Sequence, residues 1–119
     1  MPLIEIIALP QSEDVDPAAV LSAVNRAVGV ALGRPAESAW STWRTLEPGH
    51  YAVGEQVASE QPRETHPPVV HIWAERPPEA LRLVVDAVCT VLGEQLGLDP
   101  GSIFVTTSRV SPAEPAPGT

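Results

Sequence analysis

The sequence has few basic residues, almost no cysteine and no long apolar run, and each shortage closes off a class of protein. Seven Lys and Arg stand against 15 Asp and Glu, for a net charge of −8. Such a surface disfavours nucleic acid and anionic membranes as partners. It still permits a small anionic substrate, because one arginine in a pocket outweighs a distant field. Cys89 is the single cysteine, so an internal disulfide is excluded, and its apolar helical surroundings read as packing. No run reaches the roughly 18 apolar residues of a membrane span, and no basic stretch precedes the first apolar segment as a signal peptide would require. A cytoplasmic protein is expected. His50, His66 and His71 share no ligand spacing with one another or with Cys89, so no metal site is expected. Gly49 and Gly54 are isolated turn glycines rather than a phosphate loop, and no serine sits in a nucleophile turn. No cofactor is expected.

What the chain does contain is a repeat. Leu3 to Leu9 is an apolar run rich in β-branched residues and reads as a strand. Asp16 before Pro17 reads as a helix N-cap followed by proline at the first helical position. Val20, Leu21, Val24, Ala27, Val28, Ala31 and Leu32 then recur at helical spacing, and Gly33 is a natural stop. Ala39 to Leu46 reads as a second strand. The second half replays the order: a strand over Val69 to Ala74, a helix opened by Pro77 and Pro78 and stopped by Gly97, and a strand over Ile103 to Val110. A shift of 64 residues carries Val20 onto Val84, Val24 onto Val88, Val28 onto Leu92, Gly33 onto Gly97 and Ser38 onto Ser102. Helical periodicity alone accounts for some apolar matches, but not for the shared Leu-Gly stop and the shared serine.

Each half is therefore a β-α-β unit, whose parallel strands need a right-handed crossover. Two units give an α/β fold: a four-stranded mixed sheet with two helices on one face. One domain over 1–110 is expected, with units at 1–54 and 68–110, a polar connection at 55–67 and a proline-rich flexible tail at 111–119. Two helices leave the other sheet face bare, so oligomerisation through that face is expected.

Pro2 stands immediately before the first strand. Proline after an initiator Met is in itself an ordinary start. Here it opens a duplicated β-α-β chain through Pro2-Leu3-Ile4-Glu5-Ile6. Leu32-Gly33-Arg34-Pro35 forms a helix-to-strand joint, Pro48-Gly49-His50-Tyr51-Ala52-Val53-Gly54 follows the second strand, and Glu75-Arg76-Pro77-Pro78-Glu79 opens the second helix. In that order these segments resemble the tautomerase superfamily, which includes 4-oxalocrotonate tautomerase, malonate semialdehyde decarboxylase and macrophage migration inhibitory factor. The resemblance spans about residues 2 to 110 and is greatest for the fused, double-length members.

The resemblance implies a tautomerase-like (MIF-like) fold, a homotrimer, removal of Met1 and a catalytic Pro2. A free N-terminal proline is a secondary amine; an apolar pocket or a neighbouring cation lowers its pKa below the usual value of about 8, so that it serves as a general base. Arg76 matches a substrate-binding arginine of the fused members and is expected to hold a carboxylate through its bidentate fork. A cation at a helix start opposes the helix dipole, which also points to a functional reason for Arg76. Tyr51, Arg44, His71 and Trp40 are further candidates to line or polarise the substrate pocket, while packing or a subunit contact is the plainer reading of each. The same holds for Arg109, Trp43, Trp73 and Glu37.

The chain also departs from the family pattern. Pro10-Gln11-Ser12 has no cation where half-length members carry arginine, Trp40 stands where a second-strand arginine is usual, and Pro78 replaces one of a pair of arginines. An isomerase acting on a small 2-oxo or enol acid is the leading expectation. A decarboxylase, dehalogenase or hydratase with Pro2 as general acid is the alternative. A non-enzymatic trimer or a biosynthetic cyclase that keeps Met1 is a further one.

Overall fold

The computed structural model describes residues 2–58, 65–75 and 77–110. Within them, β1 (Leu3–Ala8), α1 (Pro17–Leu32) and β2 (Trp40–Thr45) form the first unit, and β5 (Val69–Ala74), α2 (Pro78–Leu96) and β6 (Phe104–Arg109) the second. The sheet runs in the order β2-β1-β5-β6. β1 is parallel to β2 and β5 to β6, while the two units meet antiparallel through β1 and β5. This is the expected four-stranded mixed sheet with two helices on one face.

The helices begin and end where local chemistry directs. The Asp16 carboxylate accepts the Ala18 amide at 3.1 Å, and Pro17 occupies the first turn. Gly33 and Gly97 close the two helices in the left-handed region, at φ 65° and 70°. Ile4, Ile6, Val70 and Ile72 from the sheet meet Val20, Val24, Val28, Val84, Val88 and Leu92 from the helices in one core. β1 and β5 share an alternating burial pattern, so one face of each is sealed and the other open.

The first strands superpose at an offset of 66 residues, against 64 for the helices and last strands. The difference lies between strand and helix: eight residues separate β1 from α1, and α2 starts earlier by an extra turn.

One element departs from expectation. The polar connection contains a strand, β4 (Gln56–Ala58), which pairs antiparallel with β3 (Tyr51–Val53). Gly54, at φ 60°, takes the first position of a two-residue turn, a place that favours glycine. Gln56 interrupts any apolar alternation, so the strand left no periodic signal. Two strands alone are marginal. This hairpin is pinned from outside: Tyr51 Oη donates to Pro67 O at 2.7 Å, and His66 Nε2 donates to Gln56 O at 2.8 Å. The Tyr51 and His66 rings meet edge to face at 5.2 Å.

Candidate active site

Parity along the strands sorts the candidates by face, and register sorts them by end. On the open face three rows cross the sheet. Trp40, Leu3, Trp73 and Ser108 form the row nearest Pro2. Thr42, Glu5, His71 and Thr106 form the middle row, and Arg44, Ile7, Val69 and Phe104 the far row. Trp43 points the other way and packs against the helix-side core.

Pro2 enters β1 with its ring fully buried, and its carbonyl accepts the Trp40 amide at 3.0 Å. On the open face, over its chain neighbour Leu3, a cleft of about 450 Å³ is lined by Leu3, Trp40, Trp73, Glu75 and Val110. That volume suits a small ligand, and the lining is mainly apolar with one carboxylate. Glu75 was not singled out in the sequence; only the antiparallel meeting of β1 and β5, which brings the end of β5 to the start of β1, reveals it.

A larger groove of about 530 Å³ lies between α1 and the start of β2, against Ser22, Asn25, Arg26, Glu37 and Trp40. The second unit repeats it at Asp86, Cys89, Thr90, Gly101 and Val105, with about 440 Å³. A groove present in both halves follows from the packing of helix on edge strand. The Trp40–Trp73 cleft is not repeated: the positions equivalent to Leu3, Trp40 and Trp73 at the opposite end of the sheet are Val69, Phe104 and Ile7. The asymmetric cleft, which Leu3 lines one residue after Pro2, is therefore the candidate site.

His71 sits mid-sheet with both ring nitrogens engaged. Nδ1 faces Thr106 Oγ1, and Nε2 lies 3.0 Å from Ser108 Oγ. Thr106 Oγ1 also points its hydroxyl at Val70 O, at 3.5 Å. This favours the tautomer in which Nδ1–H donates to Thr106 and Nε2 accepts from Ser108. The imidazole packs on Trp73 with centroids 4.0 Å apart, so it braces one wall of the cleft without opening into it.

Within one chain the remaining candidates do not converge. Arg44 lies in the far row, where its guanidinium reaches Glu5 at 3.9 Å. With a largely exposed arginine, that pair contributes little. Tyr51 is held in the hairpin near the start of β5, at the opposite end from Trp73. Arg76, the expected carboxylate ligand, lies outside the described residues, as does the expected tail at 111–119. No group of metal-binding side chains occurs among the described residues, and no helix of the described residues is long and apolar enough to cross a membrane.

Solved structures with this architecture exist at low sequence identity. Native fused 4-OT is 18% identical, with 92% of this chain and 87% of that chain covered and a TM-score of 0.76. A fused 4-OT described as a wild-type asymmetric trimer is 19% identical, with 92% and 86% covered and a TM-score of 0.73. Malonate semialdehyde decarboxylase is 20% identical, with 98% and 91% covered and a TM-score of 0.66. No protein-family model matches the sequence, and no curated protein matches it either. The likeness establishes a shared fold.

Proposed function

We propose that this chain, which has the tautomerase-superfamily fold, is a tautomerase acting on a small 2-oxo or enol carboxylic acid with Pro2 as its base. The observation that carries this reading is the buried Pro2 ring at the foot of β1, one residue before Leu3, which lines an apolar cleft together with Trp40 and Trp73. With Met1 removed, Pro2 bears a secondary amine. Burial disfavours its ammonium form and leaves a neutral amine near pH 7. The amine removes a proton next to the substrate carbonyl and returns it to the conjugated carbon or oxygen. Arg76 is placed by sequence directly after Glu75 and holds the carboxylate. Residues 1–110 act as one domain of two units, in the cytoplasm. Three copies assemble, and the bare sheet face is the surface they share; a fused 4-OT structure of the same fold is described as a trimer. Arg44 and Tyr51 would then act at the site of a neighbouring copy, or in the interface alone.

The test uses an enolised 2-oxo acid, phenylpyruvate, and follows loss of the enol absorbance. Pro2→Ala keeps a primary amine and retains partial activity. Acetylating the terminus abolishes activity, because an amide nitrogen binds no proton near neutral pH. Full activity of the acetylated protein would remove Pro2 from the chemistry.

Glu75 favours a second reading. A carboxylate in the cleft stabilises a Pro2 ammonium, which would act as a general acid in decarboxylation or hydration of an unsaturated acid. Glu75 is exposed, however, and water screens its field, so desolvation of the buried amine dominates. The two readings predict opposite pH trends: the rate rises through the Pro2 ionisation for the base and falls through it for the acid.

A further inference from the structure

Pro2 is held in place by parts of the chain that come long after it. Its ring is fully buried, and its carbonyl accepts the Trp40 amide at 3.0 Å. The next residue, Leu3, begins an inner strand, paired with Trp40 of β2 on one side and Trp73 of β5 on the other. Ile4 and Ile6 of that strand are fully buried in the shared core. A loose terminus frays at almost no cost, but a core strand opens only at close to the full free energy of unfolding. Pro2 is bound as the start of a core strand. This bears on the bond between Met1 and Pro2. An aminopeptidase draws the chain end into its own cleft and needs the residues after the cut bond extended and unpaired. In the folded protein the Pro2 carbonyl and the Leu3 backbone are already taken by the sheet. In the growing chain they are free until β2 and β5 exist. The 71 residues from Leu3 to Trp73 take roughly 4–14 s to make, at about 5–20 residues per second.

We propose that folding closes the processing site: Met1 is removed from the growing chain before β5 pairs with β1, and a chain that folds with Met1 in place keeps it. Hydrolysis adds one water across the Met1–Pro2 amide, releasing methionine and leaving a secondary amine on Pro2. The inference rests on the tautomerase reading for its consequence, which is that the amine is set once, at synthesis. A chain that misses this interval folds normally, but its Pro2 nitrogen stays an amide and binds no proton near neutral pH. The fraction of working sites is then fixed by the race between excision and the arrival of β5, and later exposure of the folded protein to an aminopeptidase does not raise it.

The test uses full-length protein that retains Met1, made by cell-free synthesis with methionine aminopeptidase inhibited, then purified and folded. Purified methionine aminopeptidase is added, and intact mass follows the loss of methionine. A peptide of residues 1–9 is the unpaired standard under each condition. The folded protein is expected to lose Met1 at least about a hundredfold more slowly than the peptide, because cleavage follows the small open population. Val88→Ala thins the shared core on α2, a different element from β1. It should speed cleavage about tenfold by enlarging that population. Urea below the unfolding midpoint should do the same to the unaltered protein, relative to the peptide in the same urea, and this arm stands even if Val88→Ala does not fold. A smaller difference between protein and peptide would overturn the proposal. So would a cleavage rate indifferent to urea, which would mean that the chain end opens by itself. Mass reads the bond whether or not any substrate turns over. Resistance to cleavage with equal phenylpyruvate turnover by Met-retained and Met-free protein would sink the proposed reaction and leave the seal standing. Ready cleavage of the folded protein, with activity gained as Met1 is lost, would do the reverse.

Discussion

At the scale of single residues, Tyr51 shows how position outranks chemical type. Its hydroxyl donates to the Pro67 carbonyl, and burial pushes the phenol above its ordinary 10.0. The Cys89 thiol is also pushed up, first by burial and then by the Asp86 carboxylate. Both groups stay protonated in the fold after their unfolded counterparts have ionised. The folded state then holds more protons, so stability is complete below the unfolded values and falls as pH rises beyond them. The account predicts a loss of stability starting near pH 9 to 10, read by urea unfolding at pH 8, 10 and 11. Tyr51→Phe should cost about 1 kcal/mol at pH 8, from the hydrogen bond lost to Pro67. It should also flatten the alkaline decline. An undiminished decline in Tyr51→Phe would assign it elsewhere.

At the scale of elements, each helix passes its following loop at a glycine. A Cβ on Gly29 would lie 2.7 Å from the Arg34 carbonyl oxygen, and one on Gly93 would lie 2.8 Å from that of Leu98. The loops come so close because those residues donate their amides back to Gly29 O and Gly93 O, at 2.8 and 2.9 Å. Alanine is the better helix former by about 1 kcal/mol, but the clash is with backbone, which cannot swing aside, and such overpacking costs about 1–3 kcal/mol. Gly29→Ala and Gly93→Ala should therefore each lower stability, with the double variant nearly additive because the sites lie in separate units. A raised melting temperature in either would contradict the packing described. Helix limits were legible in the sequence because caps are local: Asp16, Gly33 and Gly97 act within a few residues of themselves. These two close approaches were not, since they depend on where the loop returns. Nor was β4, whose only guide was one glycine in a turn.

At the scale of the whole molecule, strand order and register decide what meets. The duplication, the four-stranded sheet and the bare face could be read from repeat spacing. The gathering of Leu3, Trp40, Trp73 and Glu75 could not, because it needs β1 and β5 antiparallel with Leu3 opposite Trp73. The same register leaves Arg44 and Tyr51 at the far end of the sheet. The open face exposes Trp40 and Phe104 at 58% and 59%, with Leu3, Ile7 and Val69 half-buried between them. That is more apolar surface than an isolated sheet face leaves in water. Sedimentation at micromolar concentration is expected to give a trimer. Phe104→Glu, which puts a charge in the far row away from the cleft, should shift it towards monomer. A monomer in the unaltered protein would refute the assembly.

The central claim is that Pro2 carries a free amine of lowered basicity. The most direct measurement is a nitrogen-15 NMR titration of protein labelled at proline, with intact mass to establish removal of Met1. The account predicts a Pro2 resonance that titrates once, below the ordinary value of about 8 for a free terminus, and a rate that rises through the same ionisation. A Pro2 nitrogen that does not titrate, or one that titrates above that value, would contradict it.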